Sequence, residues 1–146
     1  MKNQILRSTA ILGLFFMLVM ASVNAQTPSR VEVKIPFDFS AGTATLKAGT
    51  YRIKRLSDRA LSIRSVDGKT TAIVSAPLLI ESRNYRGGER VVFNQYGNQY
   101  FLSQVWLTFD TGRQLFASGA ETKTAREYKL ANNNAKPQRV EIAIRK

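Results

Sequence analysis

Residues 50–75 read Thr50-Tyr51-Arg52-Ile53-Lys54-Arg55-Leu56-Ser57-Asp58-Arg59-Ala60-Leu61-Ser62-Ile63-Arg64-Ser65-Val66-Asp67-Gly68-Lys69-Thr70-Thr71-Ala72-Ile73-Val74-Ser75. Across Thr50 to Lys54 the apolar and polar residues alternate, with Tyr51 and Ile53 on one side and Arg52 and Lys54 on the other. A period of two marks a strand with one buried face. Ser57-Asp58-Arg59 closes that strand, and Leu61-Ser62-Ile63-Arg64 alternates again. Asp67-Gly68 is the strongest hairpin signal in the chain, and it leads into a third strand, Thr70 to Ser75, which Pro77 breaks. Three antiparallel strands in succession set the fold class.

The flanks carry the same signature. Val31-Glu32-Val33-Lys34-Ile35 alternates, and Phe37 and Phe39 continue its apolar side. Pro36 has no N–H to donate, so it predicts an edge strand or a bulge. Leu78 to Arg83 is a further strand, closed by the polar loop Asn84 to Glu89. Arg90 to Tyr96 and Gln99 to Leu107 flank Gly97-Asn98 as a second tight hairpin. Tyr100 to Leu107 is apolar on both faces, which predicts a central strand covered from two sides. Ser118-Gly119-Ala120-Glu121 then matches a capping box, opening a helix to about Ala131 that docks through Ala120, Thr124, Ala125, Tyr128 and Ala131. Asn132-Asn133-Asn134 and Pro137 end it, and Val140 to Ile144 alternates once more. Eight or nine short strands with one late helix predict a mainly β chain. The expected fold is a single antiparallel β-sandwich or small β-barrel with one C-terminal α-helix.

The N-terminus has a different grammar. Lys2 and Arg7 precede the apolar run Ala10 to Ala21, and Val23-Asn24-Ala25 supplies compact residues for a cut before Gln26. That is the layout of a cleavable signal peptide over residues 1–25, with one β-rich domain over 26–146. The run falls short of the ~20 apolar residues of a membrane span. With no Cys near the cut, a lipid anchor is excluded. An exported chain with no Cys at all carries no disulfide, which fits the periplasm or exterior of a Gram-negative-type bacterium. The chain also has no His. The usual ligands of zinc, copper and iron–sulfur sites are therefore absent, and no metal or cofactor is expected.

The 22 Lys and Arg against 10 Asp and Glu give a net charge of +12, a field that favours anionic partners. Outside the cell these are anionic polysaccharide, lipopolysaccharide or a membrane surface, not intracellular nucleic acid. A generally basic proteome explains the same excess. Insertion as an outer-membrane barrel is rejected, because outward Arg and Lys facing lipid would cost ~2–4 kcal/mol each near the midplane.

Val33-x-Ile35-Pro36-Phe37-Asp38-Phe39 followed by Leu46-x-Ala48-Gly49-Thr50-Tyr51 resembles the opening of a functionally uncharacterised family of short exported β-rich proteins of soil bacteria. Tyr96-Gly97-Asn98-Gln99-Tyr100-Phe101-Leu102-Ser103-Gln104-Val105-Trp106 is similar to its second signature. Gly112-Arg113-Gln114-Leu115, ahead of a charged helix with Glu121 and Arg126, extends the likeness over roughly residues 31–130. The resemblance implies export and a single β-rich domain. It brings no activity, ligand or catalytic residue with it.

Two constellations are candidate binding sites. Arg52, Lys54, Arg55, Arg59 and Arg64 crowd one hairpin against Asp58, and arginine forks on a pleated surface suit phosphate or carboxylate. A solvated face guarding a sheet edge has the same composition. Asn94, Tyr96, Asn98, Gln99 and Trp106 combine rings with amides, as sugar-binding sites do, although aromatics on so apolar a strand also serve a core. Catalysis would rest on carboxylates. Asp58, Asp67 and Asp110 lie in turn contexts, Glu121 is taken as a cap, and Glu32 with Asp38 is the remaining pair. The expected role is a non-enzymatic binding or structural module of the cell envelope. A carbohydrate-active enzyme using carboxylates, or a carrier of a small apolar ligand, stands as the alternative.

Overall fold

The computed structural model describes residues 30–82 and 88–144. The signal peptide expected over 1–25 and residues 84–87 of the expected Asn84–Glu89 loop lie outside them. Among the described residues the chain forms eleven strands and one helix. The strands are β1 (Arg30–Ile35), β2 (Phe39–Ala41), β3 (Ala44–Leu46), β4 (Gly49–Ser57), β5 (Ala60–Ser65), β6 (Thr71–Ser75), β7 (Leu78–Glu81), β8 (Arg90–Tyr96), β9 (Gln99–Trp106), β10 (Thr111–Gln114) and β11 (Gln138–Ala143). The helix α1 covers Gly119–Ala131.

Two sheets face each other without closing into a barrel, so the fold is a β-sandwich with one C-terminal helix. The first sheet runs β1-β4-β5-β6, antiparallel throughout. The second runs β11-β8-β9-β10-β7, and the β2–β3 hairpin joins it through a parallel pairing of Ser40 with Phe101. The chain changes sheets after Ile35, at Pro36. β1 is indeed an edge strand, where a residue without an N–H costs no ladder bond.

The alternation read from the sequence decides what fills the space between the sheets. Ile53, Leu61 and Ile63 are fully buried, as are Val91, Phe93 and Val105 from the opposite sheet. Phe39 sets its ring edge-on to both Tyr51 and Phe93, with centroids 5.4 Å from each, and so ties the sheets together. The space between the sheets is filled by these side chains.

β9 lies centrally between β8 and β10, and buries Leu102 and Val105 on the core side and Phe101 and Trp106 on the other. A register shift between Val92 and Phe93 leaves Ser103 as the extra residue on β9, which is how Leu102 and Val105 both reach the core. Residues 90–93 of β8 are buried in succession because Val91 and Phe93 face the core while Arg90 and Val92 are covered on the other side. Gly97 alone takes a positive φ in the β8–β9 turn, at the first central position, as a type II′ hairpin has. In the β5–β6 turn only Gly68 is positive; Asp67 is held instead by the Ser65 hydroxyl and the Lys69 N–H.

The expected strand count of eight or nine was low. Strands β2, β3 and β10 are three or four residues long, too short to show a period. β10 depends on a close approach: the Trp106 ring lies over Gly112, where an added Cβ would sit 2.7 Å from Trp106 Cδ2. Arg90 covers the ring with its guanidinium carbon 4.1 Å from the centroid. Gly112→Ala therefore forces the indole against a fixed lid. We expect a loss of about 1–3 kcal/mol in urea unfolding, whereas an unchanged midpoint would show that the ring has room to move.

Candidate functional site

The outer face of the first sheet is a lattice of side chains fixed by register. Arg30, Lys54, Ser62 and Ile73 form one row across the four strands, and Glu32, Arg52, Arg64 and Thr71 form the next. Lys34 and Thr50 begin a third. α1 packs on β8 of the other sheet, so among the described residues no element packs over this face. Neighbouring strands lie ~4.8 Å apart and residues i and i+2 about 6.7 Å apart. These spacings are shorter than the screening length of ~8 Å at physiological salt, so the cations act together.

Glu32 is the one acid at an outward strand position of this sheet. It accepts from Arg52 Nε at 3.1 Å. Arg52 and Arg64 stand directly opposite each other, an arrangement that is unfavourable for like charges. A shallow open depression bounded by Arg30, Arg52, Lys54, Leu56, Ser62, Arg64, Val66 and Gly68 lies over these rows. An anion seated there would meet several donors and relieve the repulsion.

Of the five cations expected to act together, the structure brings together three: Arg52, Lys54 and Arg64. Arg55 falls on the Tyr51–Ile53 side of β4. There it lines a small recess with Leu79 and Arg113 of the second sheet, away from the other cations. Arg59 lies in the β4–β5 turn, its N–H on the Ser57 hydroxyl. Asp58 does not balance this hairpin, because its carboxylate reaches Arg113 at 3.4 Å across the sandwich. The sequence reading missed Arg30 and Lys34, although their alternation with Val31, Val33 and Ile35 is as clear as that of β4.

The ring-and-amide set does not converge. Asn94 donates to Glu121 at 2.9 Å, and the Tyr96 hydroxyl lies 3.5 Å from the same oxygen. Gln99 accepts from Thr124, and Tyr96 packs edge-on against Phe101 and Tyr128. These residues hold the helix to the sheet. Burial and the neighbouring Glu121 charge push the Tyr96 phenol upward. Asn98 sits exposed at the hairpin tip. Trp106 is buried between Gly112 and Arg90, so neither ring face is open to a sugar.

The capping box is half formed. Ser118 Oγ accepts from the Glu121 N–H at 3.1 Å as expected, but the Glu121 carboxylate turns to Asn94 and Tyr96. Its side chain is buried near the positive end of the helix dipole, which favours an anion there. The docking face is accordingly Glu121, Thr124, Ala125 and Tyr128, while Ala120 and Ala131 stay exposed. A second polar network, Arg90–Glu141–Arg139–Gln104, occupies the outer face of the second sheet. There the single Glu141 is shared by two arginines.

Glu32 and Asp38 serve different cations. Asp38 takes Lys47 Nζ at 2.7 Å and the Ala48 N–H at 2.9 Å. No group of three or more potential metal-ligating side chains occurs among the described residues. No family model, curated protein or solved structure matches this chain.

The Lys47 hydrogen bond, with that of Ala48, lowers the Asp38 carboxyl below its ordinary 3.8, and Asp38 raises Lys47 above 10.5. A lowered carboxylate pKa stabilises the fold above its unfolded value and loses that contribution as pH falls through the folded one. The raised Lys47 acts in the opposite sense, its contribution fading above 10.5. Asp38→Asn is therefore expected to flatten the dependence of unfolding free energy on pH below 3.8. An identical slope in both proteins would mean that this bridge contributes nothing.

Proposed function

We propose that this chain is an exported, non-enzymatic binding module of the cell envelope that holds anionic partners on the outer face of its four-stranded sheet. The carrying observation is the opposed pair Arg52 and Arg64, flanked by Arg30 and Lys54, on a face that among the described residues has a single acid at its strand positions and no covering element. The layout of residues 1–25 and the resemblance to exported β-rich proteins support a place outside the cytoplasm. The candidate partners are anionic polysaccharide, lipopolysaccharide and the membrane surface.

The carboxylates that the sequence offered for acid–base work are occupied in structural contacts. Glu32 accepts from Arg52, Asp38 from Lys47 and the Ala48 N–H, Asp67 from the Ser65 hydroxyl and the Lys69 N–H, and Glu121 from Asn94.

The test is retention of the purified protein on immobilised sulfated glycan and on lipopolysaccharide over a salt series. At ~1 kcal/mol for each cation near an anionic surface, R52A/K54A/R64A should bind about a hundredfold more weakly at low salt. R55A/R59A should stay close to the unsubstituted protein. Equal losses in the two variants, or none in the first, would leave only the diffuse charge of the whole chain.

A further inference from the structure

We propose that the anionic partner is a lipid surface, with the cations meeting headgroup phosphates and exposed aliphatic side chains entering between the headgroups. This deepens the preceding reading and rests on it. Its starting point is what accompanies the cations. Leu56 and Ile73 are 49% and 69% exposed at outward positions of β4 and β6. Between them, on β5, the outward residues are the small Ala60 and Ser62. The result is a short valley with aliphatic walls and a low floor. Lys54 lies beside it in the Ser62–Ile73 row.

Leu56 is where it is for a structural reason. The β4–β5 register shifts between Arg55 and Ser57, so Leu56 occupies the bulge and is raised from regular pairing. A bulge re-aims a side chain, and here the side chain is an exposed leucine at the margin of a basic field. Exposed apolar groups beside Lys and Arg are what an interfacial lipid contact uses. The charges bind phosphate, the apolar groups bury area in the acyl boundary, and long basic stems reach back to the headgroups.

Two other occupants fit the same face less well. A polysaccharide would gain from an aromatic platform, and the outward strand positions of this sheet carry no ring. A second copy docked through a twofold axis would set like charges against each other, which opposes association. Charge complementarity together with the aliphatic valley selects the anionic lipid.

The experiment is co-sedimentation of the protein, as recovered from an exporting cell, with vesicles of phosphatidylglycerol and phosphatidylcholine at physiological salt. Retention on sulfated glycan is measured in parallel. L56S/I73S alters only exposed positions, and its fold is checked by circular dichroism. We expect about tenfold weaker vesicle binding from it, with glycan retention unchanged. R52A/K54A/R64A should weaken both. Vesicle binding that survives L56S/I73S, or glycan binding without vesicle binding, overturns the lipid assignment while the basic face stands. Indifference of both surfaces to R52A/K54A/R64A overturns the basic face itself.

Discussion

Everything on the outer face follows from a constraint on the inner one. Ile53, Leu61 and Ile63 have no exposed surface, and each fully buried aliphatic contributes about 1.5–3 kcal/mol. Sliding β4 or β5 by one residue would place Arg and Lys in the core and these residues in water. Against that, the repulsion between opposed Arg52 and Arg64 costs on the order of 0.2–1 kcal/mol. The core wins by a wide margin, so the sheet holds its cations in a fixed lattice without needing to neutralise them. Glu32 relieves one and leaves the rest to solvent or to a partner.

The two outer faces resolve the same problem differently. On the second sheet most of the polar groups pair within the chain: Glu141 lies between Arg90 and Arg139, Gln104 accepts from Trp106 and Arg139, and α1 covers Asn94 and Tyr96. Arg90 Nε is buried without a hydrogen bond among the described residues and faces Glu141 at 3.4 Å. Trp106, the chain's single tryptophan, is spent on that closure. On the first sheet Lys54 and Arg64 remain exposed, with Leu56 and Ile73 beside them. This asymmetry distinguishes one side of the sandwich from the other, which overall net charge alone does not.

Much of this was legible in the sequence because a period of two is a local property. The strands around Ile53, Ile63 and Val33, the outward direction of Arg52, Lys54 and Arg64, and the Ser118 cap all follow from neighbours within a few residues. The same rule, applied strictly, puts Arg55 on the Ile53 side and adds Arg30 and Lys34 to the basic face. What was not legible depends on distant contacts. The turn of Glu121 from its own cap to Asn94 spans 27 residues, and the burial of Trp106 requires Gly112 from β10 beneath it. The β2–β3 hairpin forms because the chain changes sheets at Pro36, which a local period does not encode.

The most direct measurement is amide chemical-shift mapping during titration with a soluble anionic lipid, short-chain phosphatidylglycerol. Perturbations confined to one contiguous surface, comprising Arg52, Lys54, Ser62, Arg64 and Ile73 with Leu56 at its margin, are what the account predicts. Shifts centred on Trp106, Glu141 and the helix dock, or spread evenly over both sheets, would contradict it.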